Sequence, residues 1–425
     1  MKRRDFVHLS AILTAGSLLA PLISNATRKK NPVLLVVSGW QDVNIGDITH
    51  TPGLLGLLQQ RLPHAKIILW KKSDGKQVDD LLTKNFPAIR IIHGKFDKDF
   101  IPQSEEIKQA FEEADFFIHG SGPSVVAADH IRCWRQQTKK PFGIFGVTIQ
   151  DVSPALKELL QQATFIFTRE TASVVVLRKN GLEGNHITFA PDATFVLNIH
   201  DDAKAAKFLK DNKLEPRKFI CAIPRLRYTP YYKWSPGASW TPERIKHVDE
   251  TNEKYKEIDH AKLREAMITW VRKTGNKVLV CPEMTYQVDI MDELLINPLP
   301  ADVKPYVIKR GYWMPDEAAS VYAKAHAVLS CECHSPIIAA ANGTPAFYLR
   351  QPTDTIKGQM YYDLGFNDWV FEIDNTTGEQ VASRLMNVYN DYPAALQKVK
   401  QAIGKVNGRY DESFAIMKKK EQLFA

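Results

Sequence analysis

Short apolar runs alternate with amphipathic helical patterns along almost the whole chain, and this alternation is what most constrains the fold. The run Val33–Val37 is apolar without interruption, as expected of a strand buried on both faces of a parallel sheet. Further strand candidates are Lys66–Trp70, Arg90–His93, Phe116–His119, Phe142–Val147, Thr164–Thr168, Phe219–Ile223, Lys277–Val280, Val307–Ile308, Ala327–Leu329, Ala346–Leu349 and Val370–Ile373. Because strictly alternating strands and helices favour parallel sheets covered on both faces, the pattern predicts an α/β fold.

The pattern falls into two halves. A chain of 425 residues is too long for one ordinary domain, and the polar segment 198–218 interrupts the alternation. We expect an N-terminal α/β domain at 31–200, a C-terminal α/β domain at 216–375 and a helical segment at 376–425. The stretch 225–251, rich in Tyr and Trp, is predicted to be irregular. The simplest architecture is two doubly wound, Rossmann-like domains with a central cleft between them.

The N-terminus has the pattern of an export signal. A basic start is followed by a largely apolar run, and Ser24-Asn25-Ala26 supplies a small-residue cleavage site. The pair Arg3-Arg4 before Phe6 resembles a twin-arginine signal. We therefore expect residues 1–26 to direct export to the periplasm, with an uncleaved N-terminal anchor as the alternative. No other run is long enough to predict a membrane span, so none is expected once the signal is removed.

Composition and cysteine content narrow the function classes. A hydrophobic content of 44% and a charged content of 24% are typical of globular proteins. The net charge of +8 comes without an RNA-binding motif or repeated basic–aromatic interleaving, so we expect no nucleic-acid partner. Five cysteines are too few and too scattered for a disulfide framework. Cys331, Cys333 and His334 lack a second ligand pair, so the sequence predicts neither a metal nor another cofactor.

Polar clusters follow several of the predicted strands. They are Asn44–Asp47, Gly120-Ser121-Gly122, Gly146–Ile149, Thr168–Ser173 with Asp192, and Glu332–Ser335 with Lys357 downstream. Because ligands of open α/β sheets bind beyond the carboxyl ends of the strands, these clusters are predicted to converge on one cleft. Ser335 lies at the start of a predicted helix, Pro336–Ala341, where free N–H groups favour an anion. The alternative for Ser335 is a simple helix N-cap.

The order of these clusters resembles the polysaccharide pyruvyl transferase family. The matching motifs are N-x-G-D at Asn44–Asp47, a glycine-rich turn at Gly120–Gly122, an S-x-R-[DE]-like segment at Thr168–Ser173, D-x-x-F at Asp192–Phe195, and an R-x-H-S-like strand end at Glu332–Ser335 followed by Gly343-Thr344-Pro345. The resemblance extends over about residues 38–372. It implies a GT-B-like two-domain fold and transfer of a pyruvyl group from phosphoenolpyruvate to a sugar diol of a polysaccharide, which gives a cyclic ketal.

Under this interpretation the clusters receive separate roles. His334 is the acid–base candidate for ketal formation, with Glu332 and Asp47 beside it. The candidates for binding the anionic donor are Ser335, Arg225, Arg227, Lys357, Asn44, Gly46, Gly120, Ser121 and Gly122. Arg169, Glu170 and Asp192 are predicted to order the cleft wall. The substrate is expected to be a polysaccharide or oligosaccharide.

One departure from the family's motifs leaves two other functions as alternatives to the transferase. Glu332 stands where the family has an arginine, and a carboxylate there repels an anionic donor unless it is protonated or paired. The first alternative is an exported hydrolase that removes a pyruvate ketal or a related acetal, with Glu332 as the acid and Asp47 or His334 as its partner. The second is a carbohydrate-binding protein without catalysis. Sugar-stacking candidates in the irregular stretch are Tyr228, Tyr231, Tyr232, Trp234 and Trp240.

Overall fold

Thirteen strands form two parallel sheets in the part of the chain that the structure describes. The computed structural model describes residues 31–234 and 240–420, without the side chains of Trp234 and Lys420. The strands are β1 Val33–Ser38, β2 Lys66–Lys71, β3 Arg90–Ile92, β4 Phe116–His119, β5 Phe142–Val147, β6 Phe165–Thr168, β7 Ile187–Phe189, β8 Phe219–Ile223, β9 Lys277–Val280, β10 Val307–Lys309, β11 Ala327–Ser330, β12 Ala346–Arg350 and β13 Val370–Glu372. The predicted export signal lies outside the described residues.

Each sheet is doubly wound. The first has the strand order β3-β2-β1-β4-β5-β6-β7 and the second the order β10-β9-β8-β11-β12-β13, and the neighbouring strands are parallel throughout. The strand order therefore reverses between β1 and β4 in the first sheet and between β8 and β11 in the second. Such switch points open a crevice at the carboxyl ends of the strands. The predicted fold of two Rossmann-like domains is confirmed.

Helices separate the strands. They are α1 Ile45–Arg61, α2 Lys76–Asn85, α3 Glu105–Glu113, α4 Ala128–Thr138, α5 Pro154–Leu160, α6 Thr171–Lys179, α7 Asp202–Asp211, α8 Tyr231–Trp234, α9 Pro242–Thr274, α10 Gln287–Met291, α11 Pro315–Tyr322, α12 His334–Ala341, α13 Gln359–Leu364, α14 Gly378–Asn390 and α15 Tyr392–Lys420. Among the helices of the described residues, none combines the length and the apolar character needed to cross a bilayer.

Both faces of the first sheet are buried. Along β1, Leu34 and Val36 pack into one hydrophobic cluster, whereas Leu35 and Val37 pack into another. Successive side chains of a strand point to opposite faces, so burial on both sides explains the uninterrupted apolar run. The first cluster continues through the residues of the second sheet, and the two domains therefore share one core.

The long helix α9 corrects the sequence interpretation of residues 225–251. It begins at Pro242 and ends at Thr274, so the stretch predicted to be irregular contains its first ten residues. Thr241 caps the helix by accepting a hydrogen bond from the Arg244 amide, and Pro242 occupies the first turn. The first half of the helix was missed because it is polar on nearly every face, and an apolar stripe is what marks a helix in sequence.

The C-terminal helix α15 returns to the N-terminal domain. Its Tyr410 and Phe414 rings contact Phe145 of β5. The Tyr410 hydroxyl donates to the backbone carbonyl of Asp192, at 2.8 Å. The helix therefore braces the turn that follows β7, which carries one of the predicted site residues.

Candidate functional site

A cleft of about 490 Å³ opens where the two switch points face each other. Its walls follow the carboxyl ends of β1 and β4 in the first domain and of β8 and β11 in the second. The predicted site residues that line it are Asn44, Asp47, Arg169, Arg225, Tyr231, Glu332, His334 and Lys357. The clusters therefore converge between the domains, because the carboxyl ends of parallel strands meet at one edge of each sheet.

The start of α1 is docked onto the second domain. Asn44 caps the helix by accepting hydrogen bonds from the Gly46 and Asp47 amides, at 2.7 and 3.4 Å. The Ile45 amide donates to the Glu283 carbonyl at 2.8 Å. A Cβ at Gly46 would lie 2.6 Å from His334 Cβ, so only glycine permits this approach. Asn44 and Gly46, predicted to bind a donor, thus set the distance between the domains.

His334 lies between two buried carboxylates. Its Nε2 is 3.7 Å from Asp192 Oδ2 and its Nδ1 is 3.5 Å from Glu283 Oε1. Burial alone would lower the pKa of His334, but the adjacent Asp192 and Glu283 carboxylates raise it to about 10. The imidazole is therefore a cation at neutral pH.

The N-terminus of α12 is already occupied by a carboxylate of the chain. The helix begins at His334, two residues before the predicted start. Both the Ser335 amide and its hydroxyl donate to Glu283 Oε2, at 2.6 and 2.7 Å. The anion that the sequence predicted beside Ser335 is thus supplied by the protein itself. Glu283 was not predicted, although its place just after β9 is the kind of position that the other clusters occupy.

Glu332 is a buried carboxyl with an unusual pKa. Its Oε1 accepts a hydrogen bond from Gln287 Nε2 at 2.6 Å, and its Oε2 lies 3.3 Å from Arg225 Nε. Burial raises the pKa of Glu332 to about 8, although the Arg225 guanidinium opposes the shift. Most Glu332 side chains are therefore protonated at pH 7, as a general acid requires.

Arg225 and Lys357 share Asp354 as a counter-ion. Arg225 Nη1 donates to Asp354 Oδ1 at 2.6 Å, and Lys357 Nζ lies 3.7 Å from the same oxygen. Tyr348 donates its hydroxyl to the other oxygen of Asp354 at 2.6 Å. Although burial opposes ionisation, the two cations hold the pKa of Asp354 at about 2. The charge of Arg225 is consequently compensated by Asp354, while the protonated Glu332 adds no charge of its own.

Arg169 reaches the cleft from the first domain. Its Nη1 donates to Asp192 Oδ2 at 2.9 Å and its Nε donates to Thr148 Oγ1 at 2.8 Å. Glu170 points away from the cleft and accepts hydrogen bonds from Thr148 and Ser173. Of the three predicted wall residues, Arg169 lines the cleft, while Asp192 and Glu170 are buried behind it.

The glycine-rich turn after β4 supports the cleft from behind. The Ser121 carbonyl accepts a hydrogen bond from Trp40 Nε1 at 2.6 Å, and a Cβ at Gly122 would lie 2.8 Å from the same nitrogen. Gly120 packs against Ser38 of β1. These three predicted donor-binding residues therefore seat the indole of Trp40, which lines the cleft and was not predicted.

Arg227 lies outside the cleft lining. Its guanidinium forms ion pairs with Asp259 and Asp374 and stacks on the Tyr255 ring, 3.5 Å from the centroid. A side chain held by two carboxylates and an aromatic ring is a structural tie between the loop after β8 and its neighbours. The predicted role of Arg227 in donor binding finds no geometric support.

The predicted sugar-stacking residues also differ in whether they line the cleft. Tyr231 lines the cleft. Tyr232 and Trp240 contact each other with ring centroids 5.5 Å apart, and the Tyr228 ring packs onto α9. Of the predicted stacking residues whose side chains the structure describes, Tyr231 alone is placed to touch a ligand in this cleft; the side chain of Trp234 lies outside the described part.

Two histidines and a carboxylate form the cluster whose chemistry comes nearest to a metal site. The ligand atoms of His50, Asp192 and His334 lie within 4.8 Å of one another. The Arg169 guanidinium occupies one oxygen of Asp192. The donor types fit a metal, but the neighbouring guanidinium and the positive charge of His334 oppose one.

Comparison with known proteins agrees with this architecture. The structures that resemble the chain include a putative UDP-N-acetylglucosamine 2-epimerase from Listeria monocytogenes (11% identity, TM-score 0.60, covering 92% of this chain and 97% of that one). They also include S. aureus MnaA in its UDP co-structure (10%, 0.57, 91% and 94%). A third is Medicago truncatula UGT71G1 complexed with UDP-glucose (11%, 0.53, 93% and 99%). At such identities the likeness establishes the GT-B-type fold alone.

Sequence comparison identifies the family. Curated proteins give no significant match. A sequence model of the family described as "Polysaccharide pyruvyl transferase" matches residues 44–351, which include the docked start of α1, Arg169, Asp192 and the Glu332–Ser335 strand end. The predicted resemblance is confirmed: the chain belongs to the polysaccharide pyruvyl transferase family.

Proposed function

We propose that this protein hydrolyses a pyruvate ketal on a polysaccharide or oligosaccharide. The observation that carries the proposal is Glu332, a buried carboxyl that lines the cleft and whose pKa is raised to about 8. Cleavage of a ketal requires an acid that protonates the departing oxygen, and a carboxyl that is still protonated at neutral pH is suited to that step.

The charges of the cleft also favour a ketal over phosphoenolpyruvate. Arg225 is paired with Asp354, and Arg169 is paired with Asp192. The helix N-terminus that would attract a phosphate holds Glu283. A phosphorylated donor with several negative charges finds both arginines already paired with carboxylates, whereas a ketal carries a single carboxylate.

The cleft can hold that one carboxylate. His334 is cationic, since its pKa is raised to about 10, and it lines the same cleft as Lys357. Because the His334 proton is strongly retained, its role in this proposal is electrostatic. Lys357, whose nearest carboxylate is 3.7 Å away, supplies the second positive charge that binds the ketal carboxylate.

The reaction then follows from two carboxyl groups. Glu332 donates its proton to one ketal oxygen, the C–O bond breaks with its electron pair on that oxygen, and an oxocarbenium-like centre forms. Asp47 takes a proton from water as the water oxygen bonds to the cationic carbon. In the resulting hemiketal, the hydroxyl proton passes to the second sugar oxygen as that C–O bond breaks with its electron pair on the oxygen, which gives pyruvate and the free sugar diol.

The second candidate is ketal formation from phosphoenolpyruvate, which membership of the family favours. A protonated Glu332 can serve this reaction too, since the enol carbon must gain a proton. What distinguishes the two reactions is the phosphate: synthesis releases it, and hydrolysis never involves it.

We also propose that the protein acts outside the cytosol. The support comes from the sequence, in the paired arginines, the apolar run and the small residues ending at Ala26. Phosphoenolpyruvate is a cytosolic metabolite, so export deprives a transferase of its donor but leaves a hydrolase with its substrate.

The test measures both directions with one preparation. Mature protein is incubated with a pyruvylated polysaccharide and free pyruvate is assayed, and in parallel with phosphoenolpyruvate and the unmodified glycan while phosphate is assayed. We expect pyruvate release only. Glu332→Gln should lower that release by about 10²–10⁴-fold, the usual contribution of a general acid.

Each contrary outcome has a clear meaning. Phosphate release without pyruvate release would replace hydrolysis by the transferase reaction. Neither product, from protein that still binds the glycan, would refute an enzymatic function on these substrates. Glu158→Gln, an exposed carboxyl on α5, is the matched control and should leave the rates unchanged.

A further inference from the structure

A second histidine, His50, lies directly behind Asp47. It is one turn further along α1 and fully buried, with Nε2 3.9 Å from Asp47 Oδ1 and Nδ1 3.1 Å from Asp192 Oδ1. Nε2 makes no hydrogen bond within the described part of the chain, and the contact of Nδ1 with Asp192 is close but poorly directed. Leaving a buried polar group unsatisfied costs about 1–3 kcal/mol, so the position of this imidazole indicates a functional role.

The groups around His50 keep it neutral. Asp47 faces it from α1, Asp192 from the turn after β7, His334 from α12 and Arg169 from the end of β6. The His334 ring is edge-on, with the centroids 4.8 Å apart. Burial lowers the pKa of His50, and the two neighbouring cations lower it further, while the Asp192 carboxylate opposes the shift.

The two carboxylates act on different ring nitrogens. Asp192 is fully buried, and its Oδ2 lies 2.9 Å from Arg169 Nη1 and 3.7 Å from His334 Nε2, two cations that favour its charged form. It is therefore an acceptor, which favours the His50 tautomer with the proton on Nδ1 and a lone pair on Nε2. That lone pair faces Asp47. The distance of 3.9 Å between His50 Nε2 and Asp47 Oδ1 is that of two hydrogen-bond acceptors in contact. It can shorten to a hydrogen bond when Asp47 gains a proton.

We propose that His50 acts through Asp47 as a positioning residue for its proton: it accepts the proton that Asp47 removes from water. The inference rests on the proposed hydrolysis, in which Asp47 is the base. The proton passes from water to Asp47 Oδ1 and on to His50 Nε2, while Glu332 loses its own proton to the departing oxygen. Exchange with solvent then returns His50 and Glu332 to their starting forms.

Two substitutions separate the functions of the ring. His50→Asn places an amide near the position of Nδ1, which keeps a donor for Asp192 but does not reach Asp47. His50→Gln places an amide near Nε2, which reaches Asp47 but does not titrate. We expect both variants to fold, to keep KM within about twofold and to lower kcat by about 10–100-fold. In both, the acidic limb of the kcat profile, where wild-type His50 becomes protonated, should change shape.

Nuclear magnetic resonance of protein labelled with ¹⁵N-histidine tests the geometry without any substrate. His50→Gln assigns the signal, and wild-type His50 should be neutral at pH 7 with its proton on Nδ1. In Asp47→Asn, the new amide can donate to Nε2, so the His50 pKa should fall further. His334→Gln removes a neighbouring positive charge and should raise it.

The outcomes distinguish this inference from the proposed function. A cationic His50 at pH 7, or a proton on Nε2, overturns the inference whatever the enzyme catalyses. The expected tautomer together with unchanged kcat and pH profiles in both variants also overturns it. If ketal hydrolysis itself is not observed while the spectra behave as expected, the arrangement of His50 stands and the proposed reaction falls.

Discussion

Replacing Glu332 with glutamine should stabilise the protein at alkaline pH while it removes the activity. Burial raises the pKa of Glu332 from an ordinary 4.5 to about 8. A carboxyl whose pKa is higher in the folded than in the unfolded state favours folding fully below the unfolded pKa. That advantage is lost as pH rises through the folded pKa.

The size of the effect follows from linkage. Between pH 5 and pH 8 the unfolded chain releases a proton that folded Glu332 still holds, at about 1.4 kcal/mol for each pH unit. The wild type should therefore lose about 3 to 4 kcal/mol of unfolding free energy over this interval through Glu332. A glutamine at this position has no proton to lose, so the free-energy difference between the two proteins should grow by that amount.

Urea unfolding followed by tryptophan fluorescence, at pH steps from 5 to 8.5, measures this difference. Comparing slopes removes constant effects of the substitution, such as an amide group facing Arg225. Glu158→Gln should run parallel to the wild type. Parallel curves for Glu332→Gln as well would show that Glu332 titrates normally, and the argument for a general acid would then lose its basis.

Three further predictions concern the domain contact, the carboxylate grip and export. Gly46→Ala should destabilise by about 1–3 kcal/mol in urea unfolding, because its Cβ would lie 2.6 Å from His334 Cβ; wild-type stability would contradict the docked geometry. Lys357→Met should raise KM for a ketal substrate about tenfold with a smaller change in kcat, while an unchanged KM would show that Lys357 does not bind the ketal carboxylate. Mass spectrometry of the exported product should find cleavage near Ala26, and replacing both N-terminal arginines by lysine should stop export; an intact cytosolic chain would refute this.

The sheets could be predicted from the sequence because their strands are buried on both faces. The prediction Phe116–His119 matches β4 and Phe219–Ile223 matches β8 in every residue. The short edge strand β7, Ile187–Phe189, was missed, since three residues carry too little pattern. The first half of α9 is long enough to carry a pattern, but it was missed because its polar surface shows no apolar periodicity.

The cleft could be predicted in outline but not in its electrostatics. Asp47 and His334 follow strands, and topology alone brings strand ends together. Glu283 also follows a strand, but its role depends on Ser335, which is distant in sequence, and the role of His50 depends on the distant Asp192 as well as on the nearby Asp47. The pairing of Ser335 with Glu283 joins residues 52 positions apart, and it changes an expected anion site into a filled one.

The side chain at position 332 interacts with several buried polar and charged groups. Replacing Glu332 with arginine, the residue of the family motif, should therefore not restore a binding site for an anionic donor. Gln287 Nε2 points its hydrogens at Glu332, and Arg225 Nε lies 3.3 Å from the other oxygen. An arginine at 332 would bring further donors against these donors and a second buried cation against Arg225. Asp354 would then be the nearest counter-ion for two guanidinium groups and Lys357. Because an unpaired buried charge is more costly than a neutral acid, Glu332 fits this surrounding best in its protonated form, the form that ketal cleavage needs.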